Sequence, residues 1–311
     1  MNGDEVAAIA RGAFGWGDTE VSVGPRGALG LYQVRADGAR YAVKEIFDEP
    51  PTEESIAAEL MIARCATAAG ARVPAPYRNR SAEYLTTTPH GTWLRCHEWM
   101  DLRPVDRTAP DTPGRIGRLL AGMHRAAPAA LTEPYDGTPP DRWYDQLPDA
   151  SEWAAVMGTE LDFGPTTRVD HATLLLCHRD LHPQNVFQDE SGTLVVVDCD
   201  DVGPAEPGRE LARVAFDWFC TREAADVDAV RVLFETYLAA GGPGRIASTS
   251  DFTMLLACRL NFMLAQARLA SDVELDARRR DWAKDEYDEM VRLMPTPAQL
   301  DEVLAVARST W

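Results

Sequence analysis

The sequence predicts an α+β chain in which a small antiparallel β-sheet with one helix is followed by a larger, mainly helical part. Three observations predict it: strand-like runs separated by turn residues over 20–47, a lone helical window near 52–69, and apolar residues spaced by three and four from residue 113 onward.

Val21-Ser22-Val23 leads into Gly24, Gly27 and Gly30, three glycines in a loop that a strand run follows at Leu31-Tyr32-Gln33-Val34. Asp37-Gly38 then separates that run from Arg40–Phe47, and Asp-Gly between two strand runs is a hairpin signal because both positions tolerate positive φ. Pro50-Pro51 breaks the chain, Thr52-Glu53-Glu54-Ser55 opens a helix that runs to about Ala69, and Gly70 closes it. Residues 83–100 read as two more strands around His90-Gly91. Pro113 to Ala127 is a helix, with Ile116, Leu119, Leu120 and Met123 on one face. Residues 128–150 are rich in Pro, Asp and aromatics, including Trp143 and Tyr144. Leu174–Cys177 and Thr193–Val197 are short buried runs, and from Glu210 the periodicity is helical, broken at Gly241-Gly242-Pro243-Gly244. There are no repeats.

The 311 residues are 45% hydrophobic, enough for a buried core and too apolar for a disordered chain. No apolar run approaches the roughly 20 residues of a membrane helix, and the acidic start MNGDEVAAIARGAFGWG is no secretory leader. A cytoplasmic protein is expected. Net charge is −18, which disfavours nucleic acid and anionic membranes as partners and favours cationic ligands. Thirteen acids and ten bases lie in residues 1–100, a balance of −3; the remaining 36 acids and 21 bases give −15 to the helical part. Cys65, Cys96, Cys177, Cys199, Cys220 and Cys258 show no metal spacing and read as reduced thiols.

Lysine is nearly absent: Lys44 and Lys284 stand against 29 arginines. A lysine within an apolar strand, where arginine is the default cation, supplies a compact point charge instead of a wide fork. The stretch Cys177-His178-Arg179-Asp180-Leu181-His182-Pro183-Gln184-Asn185 is followed by Val195-Val196-Val197-Asp198-Cys199-Asp200-Asp201. An amide oxygen and a carboxylate on neighbouring short strands suit Mg²⁺, which prefers hard oxygen donors and keeps several waters. A separate carboxylate remains to orient a hydroxyl and take its proton.

His178-Arg179-Asp180…Asn185 with Asp198 resembles the catalytic loop and metal-binding Asp of the protein-kinase-like superfamily. The form His-x-Asp-Leu-His-Pro-x-Asn, closing with Val-Asp-Cys-Asp-Asp-Val-Gly, resembles in particular the aminoglycoside phosphotransferase and choline kinase family. Tyr41-Ala42-Val43-Lys44, the helix with Glu59, His97–Met100 and Gly117–His124 extend the likeness over roughly residues 20–215 in the expected order. The resemblance implies a two-lobed kinase-like fold: a nucleotide-binding lobe over 1–97, a hinge over 98–104 and a catalytic, substrate-binding lobe over 105–311. It implies Asp180 as the catalytic base and Asn185 and Asp198 as Mg²⁺ ligands. Lys44 would contact the α- and β-phosphates and be held by Glu59, for which Glu53 and Glu54 are rivals; Leu60-Met61-Ile62 beside Glu59 would face the sheet. Gly27 and Gly30 would line the phosphate loop, and backbone near Glu98 and Met100 would receive the adenine of ATP (or GTP).

Leu29, Arg179, Gln184 and Leu102 depart from residues common in that family, and none removes a catalytic anchor. His178 and His182 read as loop braces, and Glu206 and Glu210 as a family acidic segment. Trp143, Tyr144 and Trp153 read as core or surface anchors before ligand platforms, and the acids of 272–286 as a solvated helix face. The expected activity is transfer of the γ-phosphoryl group of a nucleotide to a hydroxyl of a small molecule. Asp200, Asp201 and the −15 balance favour a cationic aminoglycoside-like antibiotic, with resistance as the role. Amino alcohols, macrolides, other natural products and a non-catalytic nucleotide- or drug-binding module stay open. A protein kinase does not fit, since no Ala-Pro-Glu follows Asp198.

Overall fold

The computed structural model describes residues 1–24, 30–47, 49–130 and 173–311. Gly27 and Leu29, like Trp143, Tyr144 and Trp153, lie outside them.

Helix α1 (Gly3–Phe14) comes first, ahead of the one helix the periodicity predicts. The Asn2 side chain accepts from the Glu5 amide and the Glu5 carboxylate accepts from the Asn2 amide, a reciprocal cap that satisfies two orphan donors. Strands β1 (Thr19–Val23), β2 (Leu31–Ala36) and β3 (Ala39–Ile46) form an antiparallel meander. Its second turn is Asp37-Gly38, with φ of 52° and 78°, the double left-handed geometry of a type I′ hairpin. β4 (Pro76–Tyr77) and β5 (Thr86–Thr87) both pair with β6 (Trp93–Glu98), which pairs with β3 to complete a six-stranded sheet. Val6, Tyr32, Val34, Val43, Leu94 and Cys96 fill its core, and Trp16 stacks between Phe14 and Tyr41.

Helix α2 (Glu53–Ala68) starts where expected, with Thr52 accepting from the Ser55 amide. Its apolar face turns elsewhere than expected: Ile62, Cys65 and Ala66 belong to the core of the helical part, not to the sheet. Three consecutive residues such as Leu60-Met61-Ile62 cannot share a helix face, whereas positions i, i+3 and i+4 do. The end of α2 lies on α3 (Thr112–Ala126), where a Cβ on Gly122 would come within 2.7 Å of the Ala69 Cβ.

Helices α4 (Pro207–Phe219), α5 (Val227–Ala239), α6 (Thr253–Ser271), α7 (Ala277–Leu293) and α8 (Pro297–Thr310) complete the larger part. They pack with α3 around Ile116, Leu120, Phe216, Trp218 and Phe234. Between this bundle and the large sheet lie two short ladders. β7 (Arg103–Pro104) and β10 (Leu194–Val196) flank β9 (Val186–Gln188), and β8 (Leu175–Cys177) pairs with β11 (Gly203–Ala205). Arg72 joins the layers, donating its amide to Leu194 and accepting from that of Val196 at 2.8 and 2.9 Å. Among the described residues no helix is long and apolar enough to cross a membrane.

Candidate active site

The first candidate loop spans the gap between β8 and β9. Its amide-to-carbonyl bonds from His182 to Asp180 and from Asn185 to His182 make a compact turn. Asn185 is buried and donates Nδ2 to both the Asp180 carbonyl (3.0 Å) and Asp180 Oδ2 (2.9 Å), which leaves its amide oxygen as the atom available to a metal. Asp180 Oδ1 accepts from Arg213 on α4, and Oδ2 lies 3.4 Å from His182 Nε2. Burial works against the Asp180 charge, but the His182 contact and the Arg213 guanidinium outweigh it and hold the carboxyl well below the usual carboxylate range. For His182 the balance is reversed in sign: burial disfavours its charged form and Asp180 more than compensates, raising it.

A buried network braces this loop from below. The Arg179 amide donates to Glu210 Oε1 at 2.5 Å, Glu210 Oε2 lies 2.6 Å from His124 Nε2, and His124 Nδ1 lies 2.8 Å from the Tyr237 hydroxyl. Burial penalises the Glu210 charge, but His124 and the Arg179 amide bring its pKa down to about 2. His124, Cys177 and Glu210 place three potential ligand atoms within 4.8 Å of one another, yet the imidazole and carboxylate are spent on these hydrogen bonds. The cluster therefore reads as a brace.

The second loop follows β10. Asp198 takes φ 56°, a left-handed turn at the strand end, and the Val197 amide donates to the Asn185 carbonyl at 2.9 Å, fixing the two loops side by side. Lys44 on β3 brings its Nζ to 2.7 Å from Asp198 Oδ1 and 2.5 Å from Asp200 Oδ2. The cleft's burial opposes the ammonium charge, and the two carboxylates override it, raising the Lys44 pKa. Asp180, Asn185, Asp198 and Lys44 are thus drawn to one cleft. The carboxylates of Asp198 and Asp200 and the amide oxygen of Asn185 are hard oxygen donors, a set that fits Mg²⁺.

Three expectations change. Glu59 does not hold Lys44: its Oε2 lies 2.6 Å from Arg95 Nη2, with both side chains buried. Arg95 is the cross-strand partner of Lys44 on β6, so its longer, forked side chain stands where the helix glutamate reaches the sheet. Asp200 does not stand free for substrate, since Lys44 holds it and Arg95 Nη1 lies 3.5 Å away. Asp201 likewise faces the chain's own cations, 3.4 Å from Arg179 and 4.0 Å from Arg213.

At the hinge, β3–β6 pairing ends at Tyr41 and Glu98. The Glu98 amide donates to the Ala75 carbonyl at 2.8 Å, so it is not open to an adenine, and Met100 lies beyond the last paired residue. Gly30 enters β2 at φ 74° and accepts from the Glu45 amide; a Cβ there would meet the Phe47 ring at 2.8 Å. Its role is to close the sheet end, beside a loop outside the described residues. Sequence reasoning missed Arg95 and Arg213. A charged residue inside the apolar run Trp93-Leu94-Arg95-Cys96 was a signal for the first. For Arg213 the only signal was helical spacing from Glu210 and Asp217.

A family model described as the phosphotransferase enzyme family matches residues 24–247. Solved structures share the architecture. A microcompartment-associated aminopropanol kinase superposes with a TM-score of 0.64 at 17% identity, covering 93% of this chain and 94% of its own. A spectinomycin phosphotransferase in complex with ADP and spectinomycin gives 0.60 at 13%, covering 100% and 98%. A choline kinase from Streptococcus pneumoniae gives 0.58 at 16%, covering 92% and 95%. At these identities the likeness is one of fold. A search of curated protein sequences finds no significant match.

Proposed function

The chain belongs to the phosphotransferase enzyme family, a phosphotransferase with an alcohol group as acceptor, and from that premise we propose that it moves the γ-phosphoryl group of ATP (or GTP) to a hydroxyl of an amine-bearing antibiotic of aminoglycoside type. A cytoplasmic resistance enzyme is the biological role this suggests. The observation that carries the reading is the convergence of Lys44 on Asp198 at 2.7 Å and of Asn185 on Asp180 at 2.9 Å, across two loops and two lobes.

In this reading Lys44 binds phosphate oxygens as a point charge. Asp198 and Asn185 hold Mg²⁺, with the Asp200 carboxylate in the same cluster. The bound ion supplies charge neutralisation at the phosphates. Asp180, kept ionised by Arg213, orients the substrate hydroxyl and takes its proton as the oxygen–phosphorus bond forms. A low carboxylate pKa suits that task, because a loose phosphoryl-transfer transition state demands orientation more than strong basicity. The amine in the proposed substrate is supported by the −15 balance of the helical part and by the names of structural relatives that act on aminopropanol and choline. Because Asp200 and Asp201 both face internal cations, a neutral hydroxylated natural product such as a macrolide is the second reading.

Incubation with Mg-ATP and a panel of aminoglycosides, macrolides and amino alcohols, read by mass spectrometry, is expected to show a phosphorylated product from the first group. Asp180→Asn should lower turnover by about 10²–10⁴-fold while nucleotide binding persists. Phosphoryl transfer to none of the alcohols, or an Asp180→Asn variant with most of its rate, rejects the proposal.

A further inference from the structure

The helix glutamate and the strand lysine do not meet, and what stands between them is a chain of charges. Glu59 Oε2 is 2.6 Å from Arg95, Arg95 is 3.5 Å from Asp200 Oδ1, and Asp200 Oδ2 is 2.5 Å from Lys44 Nζ. Arg95 is 3% exposed, and its Nε has no hydrogen-bond partner among the described residues. A buried guanidinium is costly unless paired, and here its two terminal nitrogens face two carboxylates on different elements, one on α2 and one on the loop after β10. A planar fork offers each carboxylate its own terminal nitrogen, whereas a lysine would have to present both with a single one.

From this geometry we propose that Arg95 is a positioning residue for the nucleotide: it takes Glu59, steadies Asp200, and through Asp200 aims Lys44 at the phosphates. The inference rests on the reading that Lys44 binds phosphate. Its physical content is that Asp200 is shared. Held by Arg95 on one oxygen, Asp200 grips Lys44 with the other only, and the ammonium stays available to an incoming anion. Released from Arg95, Asp200 turns its whole charge onto Lys44 and competes with phosphate for it. The five residues Glu59, Arg95, Asp200, Lys44 and Asp198 carry three negative charges and two positive ones, so losing the arginine also makes the phosphate site more repulsive.

Two variants test this with the fold protected. Arg95→Lys keeps a buried cation against Glu59 but removes the fork, and the double variant Arg95→Met/Glu59→Gln removes the buried pair as a unit, leaving neither charge stranded. ADP affinity measured in EDTA reads Lys44 without contribution from a metal. Both variants are expected to melt near the wild-type temperature and to bind ADP roughly tenfold more weakly, the size of coupling expected within one ion-pair network. With Mg-ATP the loss should appear in KM for the nucleotide, with kcat at saturation little changed. Asp200→Asn should recover ADP affinity in the Arg95→Lys background, a several-fold larger gain than it gives in the wild type, because there the released carboxylate competes hardest for Lys44. Unchanged ADP affinity in both variants, or strictly additive effects of Arg95→Lys and Asp200→Asn, overturns the proposal and leaves Arg95 a structural counter-ion of Glu59. A wild-type protein that binds no ADP overturns the phosphate role of Lys44 itself, and the positioning role falls with it.

Discussion

Arg179 holds φ 64° immediately before Asp180, a conformation that costs a side-chain-bearing residue on the order of 1–2 kcal/mol. Its side chain returns the cost: Nε donates to the Asp201 carbonyl at 2.6 Å and Nη2 lies 3.4 Å from the Asp201 carboxylate, tying the Asp180 loop to the Asp198 loop. The same packing explains Gly203, where a Cβ would sit 2.7 Å from the Arg179 Cζ. The two effects are of similar size, since a hydrogen bond contributes about 1 kcal/mol net. Arg179→Gly is therefore expected to leave stability within about 1 kcal/mol while kcat falls roughly tenfold as the loops lose registry. Thermal melts and steady-state rates on one preparation check it; an unchanged kcat refutes the tether. At this scale Asp180, Asn185 and Asp198 stood out only as a set, through the family resemblance of the loops that hold them, since Asp and Asn are common turn residues one by one; Lys44 stood out as a rare choice. Partner choice was not legible. With 29 arginines in the chain no single one stands out, and which of them meets Glu59 or Asp180 is decided by three-dimensional register.

Among elements, strands and hairpins were read best, since Asp37-Gly38 permits only a narrow class of turns and fixes the Ala36–Ala39 register. Helix α1 escaped although Asn2, Glu5 and Gly15 carry its start and stop signals; it is short, holds Gly3 and Gly12 inside, and buries only Val6, Ala7 and Ala10. The face of α2 was misassigned because a run of apolar residues says that a helix is buried without saying against what. Helix α3 shows the opposite case, where packing overrides local preference. Gly117 lies inside it, and replacing a helical glycine with alanine gains about 1 kcal/mol in propensity. A Cβ there would, however, lie 2.7 Å from the Leu233 carbonyl oxygen and 3.2 Å from the Tyr237 amide of α5, both backbone atoms. Overpacking of about 1–3 kcal/mol against groups that cannot rotate away exceeds that gain. Gly117→Ala should lower the melting temperature, and a raised one would mean that α3 and α5 separate freely.

For the whole molecule, the two-part plan followed from the switch in periodicity, whereas the meeting of Lys44 with Asp198, 154 residues apart, came from family resemblance and not from pattern. The charge balance overstates the charge left open to a ligand, for a physical reason: several acids of the helical part are paired internally. Asp217 pairs with Arg213 and Arg259, Glu210 with His124, and Asp201 with Arg179. Such an economy has a consequence in acid. His97, in the wall beside Arg95 and Lys44, is lowered from 6.5 to about 4, mainly by burial and then by Arg95. Between those values the unfolded chain takes up a proton that the native one refuses, so stability falls with pH across that window. Glu210 extends the loss. Its carboxyl lies near 2 in the fold against 4.5 free, so its contribution is complete above the higher value and disappears as pH drops toward the lower one. Each group adds about one proton to the uptake on unfolding within its own window. Urea unfolding at a series of pH values should therefore show stability declining from about pH 6.5 downward, well before ordinary carboxylates titrate. His97→Gln should flatten the upper part of the decline and Glu210→Gln the lower, the latter from a reduced starting stability because its bonds to Arg179 and His124 are weakened. A stability plateau from about pH 7 to 4.5 in the wild type would show that His97 is not held as the packing requires, and one that continued toward pH 2 would show the same of Glu210.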